Sequence, residues 1–151
     1  LRPHHVCETP LSRHSPFSGF AAASAGEGWT YGEDVPGKPG WLGSGRGRLI
    51  FRVAVSQTPS LTLTYLRSYD ARMANASASL ECEEGRREAL GVLDGSWRDD
   101  VSLDFTYYWT GPDLKAPNGT CELVLEILPR TGDDPGRDSE LKFKLTGVTS
   151  C

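Results

Sequence analysis

What this sequence lacks narrows it first. It has no run of one charge: 16 Lys and Arg stand against 20 Asp and Glu, a net charge of -4 spread along the chain. That balance excludes the basic stripe of a nucleic-acid-binding domain. No stretch approaches the roughly 18 consecutive apolar residues that read as a membrane-spanning helix. No window keeps a helical period of hydrophobic residues for long; Arg86 to Leu93 allows a turn at most before Gly91 and the Asp94-Gly95 pair stop it. The chain opens on Leu1, with no charged segment followed by an apolar one, as expected of a processed product, a secreted mature form or a piece of something longer.

Catalytic signatures are missing too. The three His residues stand beside no Ser or Cys in a nucleophile turn, so a triad has no support. Glu33-Asp34, Glu83-Glu84 and Asp99-Asp100 are adjacent pairs, whereas acid/base carboxylates need separation across a bond. The chain reads as non-enzymatic, and no cofactor is expected. Asp94, Asp99, Asp100 and Asp104 could surround Ca²⁺, but they form no EF-hand pattern and Asp-rich turns are common between strands. Asp133-Asp134-Pro135-Gly136 is a plain turn. His4, His5, Cys7 and His14 suit a polar terminal segment better than a metal site, since adjacent His residues on an extended chain point apart. No metal site is assigned.

What the chain has in excess is glycine and proline: 17 and 10, together 27 of 151 residues, or about 18%, against roughly 12% in average usage. Fourteen of the 27 (nine Gly, five Pro) fall within residues 1–48. That segment is expected to be an irregular Pro/Gly-rich arm with one short strand near 29–31. From Leu49 onward the pattern changes. Leu49 to Val55, Leu61 to Tyr65, Ala76 to Cys82, Leu90 to Leu93, Val101 to Thr106, Leu123 to Ile127 and Leu141 to Thr146 read as strands, several in strict alternation. Asp94-Gly95 reads as a tight hairpin turn. The expected fold is all-β, an antiparallel sandwich of jelly-roll type over 49–151, with 1–48 as its arm and the whole as one domain.

Cys7, Cys82, Cys121 and Cys151, spaced by 75, 39 and 30 residues, contain no close pair of the kind zinc sites use. Disulfides are expected, paired 82–121 and 7–151. Asn75-Ala76-Ser77 and Asn118-Gly119-Thr120 are N-glycosylation sequons. Cysteines and sequons together point to the secretory route and an extracellular location.

The richest constellation is aromatic and charged: Trp29, Tyr31, Lys38, Trp41, Tyr65, Arg67, Tyr69 and Trp97. Sugar rings stack their C–H faces on such rings, and Arg, Lys or Asp add directed hydrogen bonds. Trp29, Tyr31, Trp41, Arg67, Tyr69 and Trp97 are therefore the candidate glycan-binding residues. The competing reading is structural: large rings in a Gly-rich segment commonly pin it to the core. Alternation places Tyr65, Arg67 and Tyr69 on the face of Leu61 and Leu63, with Arg67 at its margin, which favours an anchoring role for the arginine.

The same blocks carry a resemblance. Gly28-Trp29-Thr30-Tyr31, Gly37-Lys38-Pro39-Gly40-Trp41, Tyr65-Leu66-Arg67-Ser68-Tyr69, Leu93-Asp94-Gly95-Ser96-Trp97 and the ending Lys142 to Cys151 occur in order. Over residues 27–151 they resemble the C-terminal β-rich module of secreted green-algal proteins that carry an SGNH/GDSL-hydrolase-like domain upstream. Chemistry in that family belongs to the upstream domain, and this chain has no Gly-Asp-Ser block of its own. The resemblance implies an accessory or structural module facing a cell wall or matrix, its own ligand undefined; the aromatic cluster makes carbohydrate or matrix proteins the expected partners. Two alternatives remain: a structural subunit of an extracellular polymer that self-assembles through the 1–48 arm, and an accessory fragment of an SGNH-type hydrolase.

Overall fold

A computed structural model describes residues 8–12, 22–114, 116, 119–129 and 140–151. Cys7, Asn118, the 133–136 turn and the His4, His5, His14 group lie outside the described residues.

The described chain is built from strands, with one 3₁₀ turn at Glu83–Gly85. They are β1 (Glu8–Ser12), β2 (Ser24–Ala25), β3 (Trp29–Glu33), β4 (Pro39–Ser44), β5 (Arg48–Ala54), β6 (Ser60–Arg67), β7 (Asn75–Glu81), β8 (Arg87–Asp94), β9 (Leu103–Thr110), β10 (Thr120–Ile127) and β11 (Lys142–Ser150). One sheet runs β3-β4-β11-β6-β9, with β1 also paired to β11; the other runs β2-β5-β10-β7-β8. Every pairing between these strands is antiparallel. Among the described strands, sequence neighbours lie side by side only at β3–β4 and β7–β8. From β4 onward the other connections pass from one sheet to the other, as in a jelly roll.

The expected alternation fills the space between the sheets. Leu49, Phe51 and Val53 of β5, Leu61 and Leu63 of β6, Leu123 and Leu125 of β10, and Phe143 and Leu145 of β11 are buried. Each sends its side chain inward because period-two geometry gives one face of a strand to the core. The Tyr65 and Phe143 rings stack at 5.7 Å. The Cys82–Cys121 disulfide closes one end, joining the residue after β7 to the second residue of β10. This pairing matches expectation; the other expected pair has Cys7 at one end, beyond the described residues.

Three features differ from the sequence reading. The 1–48 segment contributes β1 to β4 rather than one short strand, and residues 8–12 pair with β11 of the same chain. Glycine serves close packing there: a Cβ on Gly43 would lie 2.8 Å from both the Trp29 ring and Ile127 Cδ1. Asp94-Gly95 is not a hairpin but a crossing between sheets, since β8 pairs with β7 and β9 with β6. Gly95 is needed there because its Cβ would sit 2.3 Å from the Ala74 carbonyl oxygen. Finally, Val101 and Leu103 are each 48% exposed: Val101 precedes β9, and Leu103 opens it at the edge of the sheet.

Candidate functional site

Strand register decides where the six expected ligand-binding residues go. Tyr31 lies opposite Trp41, Trp41 opposite Leu145, Leu145 opposite Tyr65, and Tyr65 opposite Phe105. This row crosses the whole first sheet on its inner face. Its ends are four strand spacings apart, about 19 Å. Trp29, Tyr31 and Trp41 therefore occupy the β3–β4 edge, while Arg67, Tyr69 and Trp97 gather at the β6–β9 edge. The six therefore form two groups rather than one cluster.

At the first edge the rings are mainly structural. Trp29 is 4% exposed, and its indole N–H donates to the Gly47 carbonyl at 3.1 Å. Its faces are closed to any ligand. Trp41 meets Phe51 edge-on at 6.3 Å, and Tyr31 lies tilted against Trp41 at 5.7 Å, with the tyrosine exposed at the strand edge.

The second edge is built differently. Asp94, the last residue of β8, accepts hydrogen bonds from the Ser96 amide and hydroxyl, which fixes the crossing into the other sheet. The Ser68 amide donates to the Gly95 carbonyl, and Ser68 forms a parallel bridge with Ser96, placing Trp97 beside the end of β6. The Arg67 guanidinium then sits 4.6 Å from the ring centres of both Trp97 and Phe105. It donates to Asp94 Oδ2 at 3.0 Å and to the Ser96 carbonyl at 3.2 Å. The anchoring role expected for Arg67 thus has a clear geometry: a cation stacked on two rings and tied at both ends. Burial raises the Tyr65 phenol above its usual value, despite the opposing charge of Arg67 nearby.

Around this fixed arginine the surface is apolar. Arg67 is paired with Leu103, and just beyond that pair the Ser68 and Ser102 hydroxyls meet at 2.8 Å. Tyr69 is 57% exposed, and Val101 and Leu103 form the exposed aliphatic flank. A ring and two aliphatic side chains beside an immobilised guanidinium can present a flat apolar face with polar groups at its rim. The Trp97 indole N–H is buried without a hydrogen-bond partner among the described residues.

Glu33 accepts the Gly37 amide, Asp34 holds Lys144, and Asp99 and Asp100 are exposed. Asp94 accepts from Arg67, and Asp104 accepts from Thr146.

Sequence reasoning missed the outer face of the first sheet. Tyr108, 65% exposed, lies opposite Thr62, which lies opposite Thr149; Thr64 lies opposite Thr106. The signal was present as threonine at every second position of 62–64 and again at 106 and 110. Beside it is a depression of about 60 Å³ lined by Lys38, Leu66, Ser102, Asp104, Lys144 and Thr146.

No family model matches the sequence, and no curated protein matches it. Solved structures do match in fold. A two-domain esterase active on acetylated mannans, co-crystallised with mannopentaose, superposes with a TM-score of 0.53 at 12% identity. The match covers 89% of this chain and 38% of the esterase chain, so the present sequence spans well under half of that protein. A family 6 carbohydrate-binding module from Clostridium cellulolyticum in complex with xylose gives 0.53 at 13% identity, covering 87% of this chain and 92% of the module. TmCBM61, in complex with β-1,4-galactotriose, gives 0.52 at 8% identity, with 85% of each chain covered. The chain therefore has the β-sandwich fold of carbohydrate-binding modules.

Proposed function

We propose that this chain is a non-catalytic glycan-recognition module of an extracellular protein, and that it holds sugar at the Arg67–Tyr69–Trp97 edge. The observation that carries the reading is the exposed Tyr69, two residues beyond an Arg67 guanidinium already fixed by two rings and Asp94, with Val101 and Leu103 also exposed. Such a surface stacks on the apolar face of a pyranose without first ordering its own side chains, which lowers the cost of binding. Fold likeness to modules solved with xylose and galactotriose supports the ligand class.

The wider assignment follows the same line. A disulfide between Cys82 and Cys121 suits an oxidising compartment. A cell-wall or matrix setting, beside an SGNH-type hydrolase domain, is the context that the sequence resemblance implies. Glycosylation at Asn75 and Asn118 belongs to this reading.

The test is calorimetric titration with xylo-, manno- and galacto-oligosaccharides. Tyr69→Ala should weaken binding about fivefold to tenfold, the loss of one aromatic contact, while Tyr31→Ala at the far edge changes nothing. Equal binding by wild type and a folded Tyr69→Ala variant would place the site elsewhere. Failure to bind any glycan in a broad array would overturn the module reading itself.

A further inference from the structure

A larger cavity opens on the second sheet, away from the Tyr69 edge. It encloses about 690 Å³, within the 300–1,000 Å³ or so usual for ligand sites. Both cysteines of the Cys82–Cys121 disulfide line it. The bridge ties β7 to β10, so the strands beneath the cavity cannot separate.

Strand register explains its walls. Arg52 lies opposite Glu122, Glu122 opposite Glu81, and Glu81 opposite Arg87, one charged rung across four strands. These charges are not spent equally. Glu81 is held by Arg48 at 2.7 Å, with Arg87 more distant at 3.9 Å. Arg52 and Glu122, although direct neighbours, form no ion pair with each other and have no side-chain partner among the described residues. Arg86 makes a single long hydrogen bond, 3.4 Å, to the Leu114 carbonyl. A second cavity of about 240 Å³ adjoins, sharing Cys82, Arg86 and Arg87.

The cavity thus offers an uncommitted guanidinium and an uncommitted carboxylate side by side, with two loosely held arginines beyond. A bare phosphate or sulfate would profit from the arginines but meet repulsion from Glu122. A ligand with both a carboxylate and hydroxyls suits this mixed lining, which also includes Glu83 and Thr120. Arginine takes a carboxylate through two parallel N–H bonds, and Glu122 accepts from a hydroxyl. We propose that this cavity is a second subsite that binds a uronic-acid residue of an acidic oligosaccharide. The inference rests on the glycan-recognition reading and names a second, charged sugar class for it.

The experiment titrates the intact chain with trimeric galacturonate, mannuronate and glucuronate, and with the methyl ester of each. At least one free acid should bind, its methyl ester markedly less, with affinity falling as salt is raised. Arg52→Gln should weaken that binding about tenfold, the loss of a charge-assisted pair. Glu122→Gln should weaken it as well, and Tyr69→Ala should leave it unchanged. Both cavity positions are at the surface, so the variants keep the fold. Tighter binding in Glu122→Gln would mark the cavity as a plain anion patch and overturn the proposal. Neutral-sugar binding without uronate binding would overturn this inference alone; loss of both would overturn the parent reading too.

Discussion

Lys144 carries a charge into a place that excludes water. Its side chain is 4% exposed, and its ammonium donates to Asp34 Oδ1 and to the Lys38 carbonyl, both in the β3–β4 connection folded over the outer face of the first sheet. Asp34 keeps 31% of its own side chain in solvent, so the pair is lopsided. Replacing Asp34 by Ala strands a buried ammonium with one neutral acceptor. Breaking a buried pair in that way costs about 3–5 kcal/mol, and the surviving carbonyl puts the expected loss near the lower figure, about 3 kcal/mol. Lys144→Met keeps the buried aliphatic stem and leaves behind a carboxylate that can turn to water, so it should cost about 1 kcal/mol or less. At roughly 2–4 °C per kcal/mol for a chain of this size, Asp34→Ala should lower the melting temperature by about 6–12 °C. The double variant should then melt above Asp34→Ala alone, because the stranded charge is gone. Scanning calorimetry on the three variants decides it. If Asp34→Ala costs no more than Lys144→Met, the ammonium is not buried as described and the reasoning fails.

Three further expectations use other parts of the fold. Replacing Cys82 and Cys121 by Ala frees a loop with a sequence separation of 39, worth about 4 kcal/mol in loop entropy, so urea unfolding should show a loss of that order; non-reducing peptide mapping should meanwhile recover 82–121 and 7–151 as the linked pairs. Gly43→Ala pushes a methyl to 2.8 Å from Trp29 and Ile127 and should destabilise by about 1–3 kcal/mol, whereas Gly32→Ala, with nothing within 4 Å, should be near neutral in the same melts. Stability should fall in acid: the hydrogen bonds from Arg72 and then Lys142 hold Asp70 well below its usual 3.8, and at Asp34 burial pushes upward but the Lys144 hydrogen bond and charge outweigh it, leaving that group lowered too. Carboxylates depressed by folding stabilise fully above the unfolded value and lose that stabilisation as pH drops through the folded one, so melting should hold down to about pH 4 and decline below it, less steeply in Asp70→Asn.

How far the sequence revealed the fold can be seen strand by strand. β5 and β6 were legible because Leu49, Phe51, Val53 and Leu61, Leu63, Tyr65 alternate without interruption, and the buried set follows that alternation. β3 was legible at Trp29 to Tyr31, whereas β4 was obscured by Pro39, Gly40 and Gly43, which read as loop. At 43 the glycine instead answers a tertiary demand, room for the Trp29 ring, that no local pattern reports. Val124 and Lys144 are hidden for a related reason. Both fall on outer faces by parity yet are buried, Lys144 under the 34–38 connection. Val124 lies in the span where Arg48 reaches from Glu126 to Glu81. Such burial depends on what crosses over a strand, not on the strand's own period.

The aromatic cluster shows the same limit where it bears on function. Periodicity groups Tyr65 and Arg67 of β6 on one face, but the face of the first sheet is shared by six strands and periodicity does not say which strands are neighbours. β4 and β6 are 15 residues apart in sequence, from Ser44 to Ser60, and β11 lies between them in the sheet. That one insertion sends Trp41 and Arg67 to opposite edges. A composite glycan site across all six residues would need β4 and β6 to be adjacent. With β11 in place, the rings divide into a buried set that holds the 22–48 segment to the core and a half-open set that Arg67 keeps rigid. Substitutions should divide the same way: those at Trp29 act on stability, and those at Tyr69 act on binding while leaving the melt unchanged. Their separation in one pair of measurements distinguishes a platform on one edge from a site spread across the sheet.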